Sequence, residues 1–294
     1  MKSKINYSWR QFWKELLTWT VVIIIAIMLA TAMRVFLFCS FKVPSASMLP
    51  TIEPGDFIMV NKQIPGPRVY PHFPYLLGED GKIATKRFKG IRKIKRNDVI
   101  VFNFPYNDWN KLEMDINLNY VKRCVAIPGD TFLIDNGIYK IENAQGEIIG
   151  CRENQERFRA DITNGKSLVF PYDTINYRWT RKDFGPLYIP KKGDKISIDT
   201  CNYSLYKKII RYETNNPNFK RHDGAVWLGD SIIREYTFQM NYYFMAGDYV
   251  FDSVDSRYWG LVPEDHIIGK AVMIWKSEDM NTQKFKWKRF FKLL

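Results

Sequence analysis

At 294 residues the chain is long enough for two average domains or one elaborated domain. With 46% hydrophobic and 26% charged residues it is neither a disordered polyelectrolyte nor a low-complexity polymer. A formal charge of +13, from 44 Lys and Arg against 31 Asp and Glu, raises nucleic acid or an anionic membrane surface as a partner. The distribution selects the membrane. Residues 1–39 carry +4 and residues 284–294 carry +5, which leaves +4 on the 244 between them. The run KRFKGIRKIKR at 86–96 alone has seven cations, so the rest of the middle is slightly acidic, unlike a broad duplex-binding face. The run itself reads as a solvated surface.

From Leu16 to Met33 runs LLTWTVVIIIAIMLATAM, eighteen residues without a charge, followed after Arg34 by VFLFC. That length spans a bilayer, and the polar stripe of a buried soluble helix is missing. Trp13 and Trp19 suit an interfacial belt, and Lys2, Lys4, Arg10 and Lys14 ahead of the span predict a cytoplasmic N-terminus with the bulk of the chain translocated. A cleaved secretory signal is the competing reading, from the small-x-small Ala30-Thr31-Ala32, but the apolar region exceeds the usual ~7–15 residues. At the far end KFKWKRFFKLL interleaves cations with Phe285, Trp287, Phe290 and Phe291, as an interfacial segment or a frayed basic terminus would.

Between these ends a turn signal followed by β-rich residues recurs: PGD then FIMV at 54–60, ND then VIVF at 97–102, PGD then TFLI at 128–134, GD then KISI at 193–198, and GD then YVF at 247–251. The pattern predicts a mainly β, antiparallel body. We divide the chain into a cytoplasmic 1–15, a transmembrane 16–38, a catalytic β core of 39–134 and 241–276 with an insertion at 63–96, an inserted α+β or β lobe at 135–240, and a basic aromatic tail at 277–294. The lobe holds one helix candidate, SLYKKIIRYE at 204–213.

Cys39, Cys124, Cys151 and Cys201 lack zinc-site or C-x-x-C spacing, and His72, His222 and His266 form no H-E-x-x-H, so neither metal nor cofactor is expected. Cys39 and Cys124 read as buried thiols, Cys151 and Cys201 are open to pairing in an oxidising compartment, and His266 reads as an isolated surface residue.

Three segments carry chemistry. In FKVPSASMLPTIEPGD, Ser45 and Ser47 are two apart, which on an extended segment puts both hydroxyls on one side, between Pro44 and Pro50. One hydroxyl can attack a carbonyl while the other, with a backbone N–H, stabilises the oxyanion. In YVKRCVAIPGD, Lys122 lies among apolar strand residues. At an ordinary pKa of ~10.4 only about one lysine in a thousand is neutral near pH 7.4, but burial can depress it by ~3–5 units and make it a general base. The plainer reading is a lysine snorkelling from an edge strand. In GDYVFDSVDSRYWGLVP, Asp255 and Arg257 are spaced to pair, which would remove a carboxylate that otherwise favours the ammonium form of Lys122. Ser253 could orient the lysine amine.

Taken together, these segments resemble the bacterial type I signal peptidases, Ser/Lys-dyad membrane proteases. The P-S-x-S-M-x-P-T block is Pro44 to Thr51, the basic-x-D-hydrophobic-F block Arg96 to Phe102, the Y-x-K-R-x-x-x-x-P-G-D block Tyr120 to Asp130, and the G-D…S-x-D-S-R-x-W-G block Gly247 to Gly260. The resemblance implies a signal-peptidase-like fold and the cleavage of signal peptides from exported preproteins after small-x-small sites, at the outer or periplasmic side of the bacterial inner membrane. It implies Ser47 as nucleophile, Lys122 as base, Ser45 with the Ser47 N–H as oxyanion hole, and Ser253, Asp255 and Arg257 as supports. Phe41, Val43 and Val121 would form the pockets for residues −1 and −3. Preproteins and the lipid bilayer would be the partners, without nucleic acid or metal, and run 86–96 would meet lipid headgroups or substrate. Where the family has G-D-N-R-D-N-S this chain has G-D-Y-V-F-D-S, with Tyr249 and Val250 for Asn and Arg, and Ala46 stands for a frequent glycine. A processing peptidase with one dedicated substrate, or an inactive membrane-tethered binding module, are the alternatives.

Overall fold

The computed structural model describes residues 9–70, 85–106, 109–144, 146–161, 163 and 167–294, so His72 lies outside the described residues. The anchor helix runs from Trp9 to Phe36, 28 residues with none of its side chains buried by the rest of the protein. At 1.5 Å per residue it is ~42 Å long, more than a bilayer's ~30 Å hydrocarbon core. The chain passes straight from it into the first strand, Phe38–Lys42.

That strand is one edge of an eight-stranded antiparallel sheet. Next to it come Asp56–Asn61, Ile267–Ser277, Val99–Phe104, the lysine strand Asp115–Ala126, Tyr242–Ala246 and Val262–Pro263, with Lys292–Leu293 added beside Ile267–Ser277. Strands distant in sequence are neighbours here. One assigned strand moves, however: Thr131–Asp135 pairs with Ile138–Ile141 and Phe184–Tyr188 in a separate three-stranded sheet of the inserted lobe. The lobe does not form a separate core. Phe132 and Phe184 stack on Phe244 of the main sheet, ring centroids 4.5 and 5.3 Å apart, inside one continuous apolar cluster.

The turn signals have a common mechanism. At Gly55, Gly129 and Gly193 φ is 93°, 96° and 88°, and at Asn97 it is 68°, a left-handed backbone that glycine and asparagine tolerate. The carboxylate that follows accepts the N–H three residues earlier: Asp56 from Glu53 (2.8 Å), Asp98 from Lys95 (2.9 Å), Asp130 from Ile127 (2.9 Å) and Asp194 from Lys191 (2.9 Å). Gly247-Asp248 breaks the series. The expected strand at 249–251 is a 3₁₀ turn over Val250–Asp252, because Gly247 is pressed against Ser47 and Ser253 and does not open a hairpin.

The helix candidate is a helix, Tyr203–Thr214, whose buried Leu205, Tyr206, Ile209 and Ile210 recur at helical spacing. A second helix, Arg152–Ala160, escaped notice because its sequence RENQERFRA offers one large apolar residue, Phe158, to mark a buried face.

Three surface expectations are corrected. Within the basic run, Arg92 forks onto Asp98 (2.8 and 3.0 Å), Arg96 onto Asp130 (2.8 and 2.7 Å), and Arg87 donates to the carbonyls of Gly66, Glu264 and Ile267. These guanidiniums staple loops and are not a solvated patch. His266 is fully buried, paired with Asp265 at 2.7 Å. The tail is not frayed: Leu293 pairs with Met273, and Arg289 clamps the fully buried Asp56 (2.6 Å) and Glu53 (2.8 Å). Its aromatics stay outside, with Trp287 70% and Phe291 68% exposed. All four cysteines are free thiols, Cys124 buried and Cys39 half-buried.

Removing the Arg289 guanidinium leaves Asp56 charged and buried, so Arg289→Ala should lower unfolding stability by ~2–4 kcal/mol. Denaturant titration of the detergent-solubilised protein checks this; a loss below ~0.5 kcal/mol would mean the tail contributes nothing.

Candidate active site

Ser47 sits just past the first strand, where the chain leaves the sheet. The backbone is extended only as far as Ser45 and then turns, Leu49 N donating to Ala46 O (3.0 Å) and Ile52 N to Met48 O (2.9 Å). Met48 and Ile52 are fully buried in a small cluster with Val43, Ile58 and Val101, and hold the turn down. Such burial contributes ~1.5–3 kcal/mol per side chain. The two hydroxyls do face each other, Oγ to Oγ 3.4 Å, but through the turn, not through strand alternation.

Lys122 stands opposite Ile100 in the lysine strand and reaches Ser47 Oγ with its Nζ at 2.6 Å. It is 5% exposed, an interior residue and no edge-strand snorkel. Its pKa is lowered to about 8, with burial the largest influence; Asp255, the largest acidic influence, pulls it up, and Arg257 pushes it down again. At pH 7.4 a pKa of about 8 leaves about one amine in five neutral.

Asp255 and Arg257 are fully buried and paired through two bonds, Nε to Oδ1 at 2.8 Å and Nη2 to Oδ2 at 2.7 Å. The pair is not on an extended segment: Asp255 caps the short helix Ser256–Trp259 and accepts the Arg257 N–H. Burial pushes the Asp255 carboxyl up, but Arg257 and its hydrogen bonds outweigh that and hold it below the usual carboxylate range. Asp255 Oδ2 also accepts the Gly247 N–H (2.9 Å) and the Ser253 hydroxyl (2.7 Å). Ser253 thus gives its proton to Asp255, while a Cβ on Gly247 would meet Ser253 Oγ at 2.1 Å and the Ser47 carbonyl at 2.5 Å. Ser253, Gly247 and Ser47 are therefore packed together, with no room for a side chain between them.

Around this lies a polar frame that the sequence reading underrated. Asp248 pairs with Arg123, the residue after Lys122 (2.5 and 2.6 Å), and accepts the Thr51 hydroxyl (2.5 Å). Tyr249 N donates to Ser47 O (3.0 Å). Where Tyr249 and Val250 replace Asn and Arg, Arg181 of the inserted lobe donates to the carbonyls of Val250 (2.6 Å) and Phe251 (2.8 Å). Asn154, on the helix overlooked above, donates to Leu49 O (2.9 Å) and Asp248 O (2.7 Å), tying the serine loop to the 247–253 loop. Only its position in the fold marks it.

The dyad opens onto a groove of about 510 Å³ lined by Phe41, Val43, Ser45, Val121 and Val254. One wall is the edge strand Phe38–Lys42. The other is the lysine strand, whose far side pairs with Tyr242–Ala246 only from Arg123 onward among the described residues.

A buried amine in contact with a hydroxyl, beside a groove edged by free strands, fits the class of serine hydrolases. The family model described as "Signal peptidase, peptidase S26" matches residues 16–276. The chain belongs to that family, and it is a peptidase that cleaves signal peptides; the dedicated processing enzyme and the inactive binding module are not favoured. It is 30% identical over 255 residues to the signal peptidase I of Buchnera aphidicola subsp. Acyrthosiphon pisum, covering 84% of this chain and 71% of the relative. The signal peptidase I of Pseudomonas aeruginosa is 30% identical (83% of this chain, 67% of the relative) and that of Haemophilus influenzae 26% (88% and 70%).

Asn154→Ala should leave the fold intact and reduce kcat about ten-fold, because misplacing reacting groups by ~1 Å is costly. The pH midpoint should stay put, since no charge is removed. Steady-state kinetics at several pH values decide it, and an unchanged kcat would sever the lobe from the site.

Proposed function

We propose that Ser47 attacks the scissile carbonyl of an exported preprotein and that neutral Lys122 takes its proton. The carrying observation is the 2.6 Å contact between a nearly buried amine and a hydroxyl at the floor of an open groove. The contact serves either direction of transfer. As Ser47 Oγ bonds to the carbonyl carbon, its proton moves to Lys122 Nζ, and the oxyanion is met by the exposed Ser45 hydroxyl and the Ser47 N–H. When the C–N bond breaks, the leaving amine takes the proton from the ammonium. A water then attacks the acyl-enzyme, giving a proton to Lys122 and restoring Ser47.

Two further roles follow. Ser253, its own proton committed to Asp255, presents an acceptor that orients the Lys122 amine. Arg257 offsets part of the pull of Asp255 on Lys122, while Asp248 and Asp252 add to that pull, so it is burial that keeps the amine's pKa low.

The anchor sets the direction of the substrate. Ser47 is eleven residues beyond Phe36, so the groove lies near the bilayer surface, with the N-terminus cytoplasmic and the catalytic body on the other side. Both groove strands run toward the dyad from the anchor end. A signal peptide whose apolar part is in the membrane therefore lies parallel to them, its residues before the cut receding along the first strand toward the anchor helix. Alternate side chains, −1 and −3, face Val43 and Phe41, with Val121 across the groove, and large residues find little room. Trp287 and Phe291 of the tail, exposed beside Lys288 and Lys292, dock the body on lipid.

Ser47→Ala and Lys122→Ala should each abolish cleavage while leaving the circular dichroism spectrum unchanged, and Lys122→Arg should fail too, since guanidinium keeps its proton. Sequencing the new N-terminus of a preprotein incubated with each variant reads this out; processing by either alanine variant refutes the roles. With the Lys122 pKa at about 8, the cleavage rate should rise about thirty-fold from pH 6.5 to 9 and then level. A flat profile excludes lysine as the base.

A further inference from the structure

Behind the catalytic groove, where the anchor helix meets the sheet, is a second cavity of about 280 Å³. Its lining includes three cations, Arg34, Lys62 and Arg68, together with Cys39 and Tyr70, and no carboxylate among the described residues. Phe41, Asn117 and Asn119 line both cavities, so the two adjoin along the first strand.

We propose that this cavity receives residue −5 of the signal peptide and selects an acidic or neutral polar side chain there over a basic one. This rests on the substrate direction given above and names a specificity that the small −1 and −3 pockets do not include. The register carries it. In the first strand Phe38, Ser40 and Lys42 are exposed while Cys39 and Phe41 are half-buried, so Cys39 and Phe41 share a face, with buried Val43 next in the alternation. A peptide strand whose residues −1 and −3 face Val43 and Phe41 puts −5 against Cys39, ~13 Å back from −1 at ~3.3 Å per residue. Cys39 is a wall of the cationic cavity.

The cations are fixed there. Lys62 Nζ donates to the helix-end carbonyls of Arg34 (2.8 Å) and Val35 (3.4 Å). Arg68 is held by Tyr70 (2.7 Å), Asn103 and the Asp265 carbonyl. Helix-end carbonyls and Asp265 offset part of this charge, but Lys62 still feels the others: burial first, then, against an opposing pull from Cys39, Arg68 and Arg34 hold it below the ordinary lysine value. A further cation entering as a substrate side chain is repelled, and a carboxylate is the missing partner. A lipid phosphate would meet the same charges, but the shared walls with the groove and the strand register favour the peptide.

The test is kcat/KM of the full-length protein in detergent on one preprotein carrying Glu, Ser or Lys at −5. We expect Lys to be cleaved about three- to ten-fold more slowly than Glu, the gap narrowing in ~0.5 M salt. Lys62→Gln and Arg34→Gln should each shrink the Glu-to-Lys ratio. Equal rates for all three substrates overturn the proposal and leave the peptidase reading standing, whereas no cleavage of any of them overturns both. If the ratio is flat but Lys62→Gln or Arg34→Gln removes a stimulation by phosphatidylglycerol vesicles, the cavity holds a lipid phosphate and the proposal is likewise overturned.

Discussion

A lysine in contact with a serine is useful only if the lysine can be neutral, and the constraint on this molecule is to bury Lys122 without leaving it a free counter-ion. A lone carboxylate in the same interior would favour the ammonium form and cancel the benefit of burial. The protein does place a carboxylate there, Asp255, but closes a fully buried guanidinium over it from two residues away. Buried ion pairs of this kind contribute little net stability, because desolvation of both charges offsets their attraction. Here the pair supplies electrostatic balance, and it gives Asp255 the oxygens that hold Ser253 and Gly247.

The same economy of space governs the loops. Gly247, Ser253 and the Ser47 carbonyl occupy a volume in which one added methyl group collides with two of them. Arg123 and Thr51 fix Asp248 from the sheet side, and Asn154 and Arg181 fix the same loop from the inserted lobe. The lobe is thus an abutment for the catalytic loop as well as an elaboration of the body, and its shared core with the sheet keeps the two from moving independently.

On the role proposed for Ser47, the direct passage from anchor helix to first strand to that serine puts a geometric limit on what can be cut. In that reading a scissile bond reaches Ser47 only if the chain before it follows the first strand back toward the anchor helix, so an apolar segment a few residues upstream is favoured by position as well as by affinity. Tethering raises the effective concentration of such bonds over those of proteins in bulk water.

Much of this was legible in the letters. The uncharged Leu16–Met33 marks a helix long and apolar enough to cross a membrane, the Gly-Asp and Asn-Asp turns place four of the strands, and Ser47, Lys122, Asp255 and Arg257 are recognisable by residue type in a fixed order. These features are local, and local chemistry has few solutions. Sequence reasoning missed what depends on neighbours from far along the chain: that Gly247-Asp248 is a packed loop and not another hairpin, that Thr131–Asp135 pairs outside the main sheet, that Arg87, Arg92 and Arg96 are tied to loops, that His266 is buried, and that Asn154 touches both the serine loop and the 247–253 loop. By itself, then, the sequence marked the candidate groups and the long apolar helix. Only the tertiary structure decided how dry Lys122 is, which charges cancel around it and which cations flank the groove, because solvation and Coulomb terms depend on distances that no stretch of sequence contains.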